Sequence, residues 1–224
     1  MEATLIANTP EPQRLIETCA RISYNSQNYP FDPEVNSKFI RKLIANGHES
    51  PMEHASATFL IEGISRACSH QIVRHRLCSF TQMSQRYVEF NSGDPNRSMS
   101  FTMPKDMHDM DAMEEEFRTK DDGPHHRARA ALVACGHAYD AMIEAGIPKE
   151  DARLILPQGI QTSLYMTANM REWRHFLQLR LDKHAQWEIR GVAEKVLGIL
   201  FGIAPDVFFD LTTITNTTTT GENP

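Results

Sequence analysis

Apolar and polar positions along this chain follow two periods. Over residues 33–46, Val35, Phe39, Ile40, Leu43 and Ile44 recur at helical spacing, so one stripe is apolar and the rest faces water. Asp32 precedes Pro33 as an N-cap followed by proline at the first helical position, and Gly47 supplies the stop. Residues 55–61 (ASATFLI) are rich in β-formers and predict a strand. Residues 64–76 predict a helix with Ile64, Ala67, Cys68 and Ile72 on one side. Strands are also predicted over 85–90 (QRYVEF) and 160–169, the latter reached through 153–157. Further helices are predicted over 107–118, an acidic segment with a solvated face, over 125–145 ended by Gly146, over 171–181 and over 185–203. Residues 212–224 (TTITNTTTTGENP) bury too little apolar surface to offset their ordering entropy and are expected to form a disordered tail.

Strands and helices do not alternate as strict β-α-β repeats. The fold class is therefore α+β: a helix-rich single domain, residues 1–211, with a small, mostly antiparallel sheet. Neither GxGxxG after a strand nor GxxxxGK[ST] occurs, so a standard dinucleotide fold or P-loop is unsupported. Gly198 and Gly202 form a GxxxG that reads as close helix packing.

The 224 residues suffice for one sizeable core, and 41% hydrophobic with 23% charged residues is ordinary for a globular protein. No window approaches the roughly 20 apolar residues that span a bilayer, and the N-terminus lacks a basic, then apolar, leader. A cytoplasmic protein with no membrane partner is expected. The formal net charge of -6 argues against a nucleic-acid partner. Cys19, Cys68, Cys78 and Cys135 form no CxxC pair and read as buried or partly buried free thiols. Cys78, among arginines, is also a candidate reactive thiol.

Charge changes the picture at one place. Residues 64–88 hold four arginines, two histidines and no acid, centred on RHRLCSFTQMSQR (residues 74–86). A cationic island in an acidic protein is a place where anions bind. Arginine offers a planar fork that matches phosphate, and on a helix Arg74 and Arg76 would point to different partners. The alternative is pairing with surface carboxylates, for which the window offers no local acid. Ser84, Gln85 and Arg86 make a plausible phosphate seat by virtue of the preceding motif; taken alone, Ser84 is better read as capping a turn. His48 and His54 flank HESPMEH, which has the wrong spacing for HExxH and is interrupted by Pro51; a ligand-orienting loop is preferred to a metal site. Asn169, Arg171, His175, Arg180, His184 and Gln186 gather polar groups near Trp187, with Arg171 and His175 one helical turn apart.

Arg74-His75-Arg76, seven intervening residues and then Ser84 resemble the signature of the flavin-dependent thymidylate synthases. GHESPMEH (residues 47–54), ARLILP (152–157), TANMR (167–171) and LRLDKHAQWE (179–188) resemble further blocks of that family, in family order over roughly residues 14–205. The resemblance implies a homotetrameric α+β enzyme with FAD held between subunits and shared active sites. It would methylate dUMP to dTMP, with 5,10-methylenetetrahydrofolate as carbon donor and NADPH as reductant. Carried over by residue, Ser50, Arg74, His75, Arg76, Gln82, Asn169, Arg171 and His175 would contact the flavin. Gln71, Arg74, Gln82, Ser84, Gln85, Arg86, Arg153 and Arg180 would hold dUMP. Gln82 stands where some members carry a carboxylate, and His175 where others have a different polar residue.

Arg180 is the candidate catalytic residue: beside uracil, its charge favours the N3-deprotonated ring and so a more nucleophilic C5. No protein nucleophile and no metal are expected, Ser84 having no readable neighbouring base. Two other readings are a non-catalytic nucleotide-binding module and a metal-dependent nucleotide hydrolase built on His48 and His54.

Overall fold

A computed structural model describes residues 1–90, 99–105 and 123–212. The acidic helix expected over 107–118 and residues 213–224 of the expected tail lie outside the described residues. The described elements run β1 (Glu2–Asn8), α1 (Pro12–Arg21), α2 (Pro33–Ala45), β2 (Ser56–Ser65), α3 (Arg66–Ile72), β3 (Ser79–Gln82), α4 (Pro124–Glu144), α5 (Lys149–Ala152), β4 (Gln161–Asn169), α6 (Met170–Arg180), α7 (Trp187–Ile203) and α8 (Pro205–Phe208). Helical 3-10 turns cover Ile22–Tyr24, Ser50–His54 and Arg153–Ile155. The architecture is α+β, with a four-stranded sheet in the order β1-β2-β4-β3. β1 is antiparallel to β2, from Glu2 opposite Glu62 to Asn8 opposite Ala57, with an irregularity between Leu5 and Ala7. β2 and β4 are also antiparallel: the Met170 N–H donates to the Ala55 carbonyl, while the Thr58 and Thr167 hydroxyls meet at 2.9 Å. No helix among the described residues is long and apolar enough to cross a membrane.

The chain divides into two compact units. The first comprises Met1–Glu62, Gln71–Thr81 and Leu164–Pro224; the second comprises Gly63–His70 and Gln82–Ser163. In the first, β2 buries Ala57, Phe59 and Ile61, and β4 buries Leu164, Met166 and Ala168, the period-2 alternation of a sheet with one face in the core. Trp173 of α6 is buried against that face, edge-on to Phe59 at 5.1 Å, and its indole N–H donates to the Ala57 carbonyl at 3.1 Å. Burial of a tryptophan is favourable there because the polar edge keeps a partner. α7 adds Ile189, Val192, Ala193, Val196 and Leu200 to the buried set, spaced as one helical face. In the second unit, Phe90, Tyr139, Ala152 and Ile160 form a smaller cluster.

Caps fix the helix ends. Asp32 accepts from the Glu34 and Val35 amides and begins α2, and Gly47, at φ 70°, follows it in the left-handed region. Asn169 caps α6 through the Glu172 amide at 2.8 Å, and Gln186 caps α7.

Four local expectations fail. The strand expected to end at 61 continues to Ser65, so α3 is short. The first amides of α3 find acceptors by tertiary contact, Arg66 N–H on Ile160 O and Ala67 N–H on Gln158 O. α3 also stops at Ile72, which leaves Arg74, His75 and Arg76 in a turn; the argument from helical angles does not apply to them. Residues 85–90 are not a strand, because the Tyr87 and Val88 amides fold back onto the Ser84 carbonyl. β1, α1 and β3 were not anticipated. α1 starts after Glu11 in a left-handed conformation with no side-chain cap, so it carries no capping signal.

Candidate functional site

In the first unit, the turn after α3 faces α6 across a cavity of about 680 Å³. The turn contributes Arg74, His75, Arg76 and Leu77; α6 contributes Glu172, His175, Leu179 and Arg180. Residues 172, 175 and 179 fall on one helical face by their i, i+3, i+7 spacing. The turn is tied by three backbone bonds: Arg74 N–H to Gln71 O, His75 N–H to Ile72 O and Cys78 N–H to His75 O. These bonds turn His75 inward, where it is buried, and leave Arg74 and Arg76 exposed.

His75 is the hinge of the local electrostatics. Its ring lies edge-on to Phe176 at 4.9 Å and to His175 at 6.0 Å. Its Nε2 accepts from Arg180 Nε at 3.0 Å, and its Nδ1 lies 3.7 Å from Glu172 Oε1. Burial, and then the charges of Arg180 and His175, push its pKa down to about 4, so the imidazole is neutral at physiological pH. Arg180 Nη2 also donates to the Gln71 carbonyl at 3.3 Å. The guanidinium is thus anchored on one side, and its remaining N–H groups are left for a ligand.

Cys78 is not an activated thiol. Burial and the neighbouring Glu172 carboxylate push its pKa up to about 12, and the thiol donates to Glu172 Oε1 at 3.8 Å. All four cysteines are free.

Other candidate residues of this unit are committed to protein partners. The Asn169 side-chain oxygen caps α6. Arg171 does not line the cavity: its guanidinium pairs with Glu53 and Glu49 of the histidine-bearing loop, next to exposed Ser50. Arg174, which sequence reasoning did not single out, is buried and forked onto Asp210, with Glu49 at 3.3 Å and the Val207 carbonyl as further acceptors. It clamps the C-terminal end of the described chain. His48 and His54 join no candidate metal cluster among the described residues. Among the described residues that geometry belongs to His75, Glu172 and His175, whose donor atoms lie within 4.8 Å of one another. A metal at His75 Nε2 would first have to displace Arg180.

The second unit carries the other candidates. Gln82 Nε2 donates to the Ser69 and Thr162 hydroxyls at 3.0 and 3.2 Å. The Ser84 hydroxyl accepts from the Arg86 amide at 3.3 Å, so it does close a turn. The Arg86 side chain pairs with Glu150 at 2.8 Å, and Arg153 Nε donates to the Glu150 carbonyl at 3.0 Å. Gln85 is buried and its amide nitrogen has no partner among the described residues. A donor left in that state fits a bound acceptor. Arg66, outside the candidate set, has its pKa lowered by burial and by the charge of Arg153, so two cations are held near each other. That is a local excess of positive charge suited to an anion.

The donor chemistry fits the groups expected of it. Three arginines around one cavity suit phosphate oxygens, and Leu77 and Leu179, both exposed, offer apolar surface to a flat ring. The signal for Leu179 and Glu172 was available in the sequence, since both share the helical face of His175.

Residues 4–206 match the family described as thymidylate synthase complementing protein, Thy1. The chain is 39% identical to a flavin-dependent thymidylate synthase of Geobacter sulfurreducens over 94% of its own length and 86% of that protein. It is likewise 39% identical to one from Pyrococcus horikoshii, over 88% of this chain and 78% of that one. Among solved structures, the UMP/dUMP methylase PolB from Streptomyces cacaoi, bound with 5-Br dUMP, superposes with a TM-score of 0.76 at 25% identity, covering 95% of this chain and 94% of that chain.

Proposed function

This chain belongs to the thymidylate synthase complementing protein family, that of the flavin-dependent thymidylate synthases, and on that premise we propose that it converts dUMP and 5,10-methylenetetrahydrofolate to dTMP and tetrahydrofolate at the expense of NADPH. The observation that carries the reading is the Arg180–His75 hydrogen bond at 3.0 Å, which anchors a guanidinium at the cavity and leaves its other donors for a ligand. Arg74, His75, Arg76 and His175 are the groups that would hold FAD, with Ser50, Gln82, Asn169 and Arg171 as the remaining contacts expected of the family. When bound, FAD supplies the redox chemistry of the reaction.

The residues of the chain bind, orient and polarise. Arg86 and Arg153, with the Ser84–Arg86 backbone, neutralise the nucleotide phosphate, Arg86 exchanging its Glu150 partner for the phosphate. Gln71, Arg74, Gln82 and Gln85 are the further nucleotide contacts expected of the family, and the Gln85 amide nitrogen, without a partner among the described residues, would gain an acceptor from the ligand. Arg180 would sit against the uracil, where its charge favours the N3-deprotonated ring and so makes C5 more nucleophilic toward the one-carbon unit. The absence of an enzyme nucleophile is supported by a Cys78 thiol whose pKa is near 12 and by a Ser84 hydroxyl whose contact is an amide rather than a base. The catalytic domain is residues 1–211. The chain would assemble as the homotetramer expected of the family, with shared active sites. The enzyme works in the cytoplasm, where its nucleotide and folate substrates are dissolved.

The test is tritium release from C5-labelled dUMP with FAD, NADPH and methylenetetrahydrofolate, omitting each in turn. Release that requires all three, with dTMP as product, is the expected result. Binding of dUMP to a protein that takes up no flavin and releases no tritium would favour the nucleotide-binding module instead.

A further inference from the structure

Glu172, His75 and Arg180 stand in a row along the cavity. Arginine has only donors, so the bond from Arg180 Nε to His75 Nε2 at 3.0 Å requires a lone pair on Nε2. The proton of the neutral imidazole is then on Nδ1, which looks toward Glu172 Oε1 3.7 Å away. That separation is longer than a hydrogen bond, yet an ionised carboxylate there still favours an N–H dipole aimed at it.

Glu172 is an expensive residue to place here. It is buried, and among the described residues no lysine or arginine lies within ion-pair distance of it; its neighbours are the His75 and His175 imidazoles and the Cys78 thiol. A buried carboxylate without a lysine or arginine partner costs stability, and a small neutral residue on the same helical face would avoid that cost. Packing alone therefore does not account for a glutamate at this position.

We propose that Glu172 is a positioning residue, which holds His75 with its proton on Nδ1 so that Nε2 remains the acceptor that fixes the Arg180 guanidinium at the substrate. Without the carboxylate, the other tautomer turns an N–H toward Arg180, donor against donor. The Gln71 carbonyl, at 3.3 Å, is then the one remaining tie of that guanidinium among the described residues. The proposal rests on the role given to Arg180 above.

The experiment is a two-bond proton–nitrogen correlation spectrum of histidine-labelled holoenzyme, with the His75 signal assigned through His75→Gln. It is combined with steady-state methylation for wild type, Glu172→Gln and Glu172→Ala. Wild type is expected to show the Nδ1–H form. Glu172→Gln, which keeps a carbonyl oxygen in place, should keep that form and most of the rate. Glu172→Ala should show mixed tautomers and a kcat lower by on the order of 10- to 100-fold, with flavin content and KM for dUMP nearly unchanged. An Nε2–H form in wild type or in Glu172→Gln overturns the proposal, as does a Glu172→Ala enzyme with unaltered tautomer and kcat. If the alanine variant does not fold, the wild-type and glutamine spectra decide. A wild type that makes no dTMP would sink the proposed reaction instead, while its spectrum still decides the Glu172–His75–Arg180 relationship.

Discussion

Arg180 and His75 are joined by one hydrogen bond, Nε to Nε2 at 3.0 Å, across 105 positions of sequence. The bond makes a neutral histidine the anchor of a cation, so the guanidinium is oriented without being neutralised. A carboxylate in the same place would also have oriented Arg180 but would have cancelled its charge.

Replacing Arg180 should therefore separate catalysis from cofactor retention. Arg180→Ala is expected to lower methylation by on the order of 100- to 1000-fold while the flavin absorbance stays. Arg180→Lys should also be impaired, because lysine keeps the charge but has no Nε–H for His75. Loss of flavin, with normal chemistry in whatever holoenzyme remains, would contradict this role.

His75 also makes stability pH-dependent. Its pKa is about 4 in the folded protein against 6.5 when unperturbed. Above pH 6.5 neither state binds the proton and the term vanishes. Between 6.5 and 4 the unfolded chain is protonated first, so stability falls with falling pH, by roughly 3 kcal/mol in all. Urea unfolding of wild type and His75→Gln across this window should show the slope reduced in the variant.

Ser84 tests the nucleophile question. Its hydroxyl accepts the Arg86 amide at 3.3 Å, which closes the turn of the proposed phosphate seat. Ser84→Ala should raise KM for dUMP by about fivefold, the worth of one hydrogen bond, and leave turnover at saturation largely intact. Complete inactivity with normal dUMP affinity would mean that Ser84 forms a covalent bond to the substrate.

Cys78 should resist alkylation. A thiol with pKa near 12 rather than 9.0 carries roughly three orders of magnitude less thiolate at pH 8. Peptide mapping after brief iodoacetamide treatment of the folded enzyme should find Cys78 unmodified; rapid labelling there would show that the Glu172 contact is not maintained in solution.

Arg174 should matter to stability more than to chemistry. It is 2% exposed and reaches Asp210 through both terminal nitrogens at 2.8 Å, with Glu49 beside it. Arg174→Ala removes the buried cation that Asp210 and Glu49 share and is expected to cost about 3–5 kcal/mol in urea unfolding of the holoenzyme. Arg174→Lys, without the planar fork, should recover only part of that loss.

Elements whose signals are local could be read directly along the chain. α2 could be read from five apolar residues at helical spacing between Asp32 and Gly47, and α4 from the glycine that ends it, because caps and periodicity act within a turn or two. β4 and α6 were legible for the same reason, and the ordered motifs gave the family, since each motif is a short run of chain. Tertiary structure decided what depends on distant partners. The end of β2 and the start of α3 were set by Ile160 and Gln158, which accept amides nearly a hundred residues away. The arginines, alike in sequence, took unlike partners: Arg171 found Glu53, Arg86 found Glu150 and Arg180 found His75. Spacing along the chain carries no information about such pairings, because a side chain's partner is fixed by which elements the core brings together. Glu172 belongs to this second class. Its identity is plain in the sequence, but that it is a buried carboxylate facing His75 follows only once α6 packs against the turn that holds the histidine.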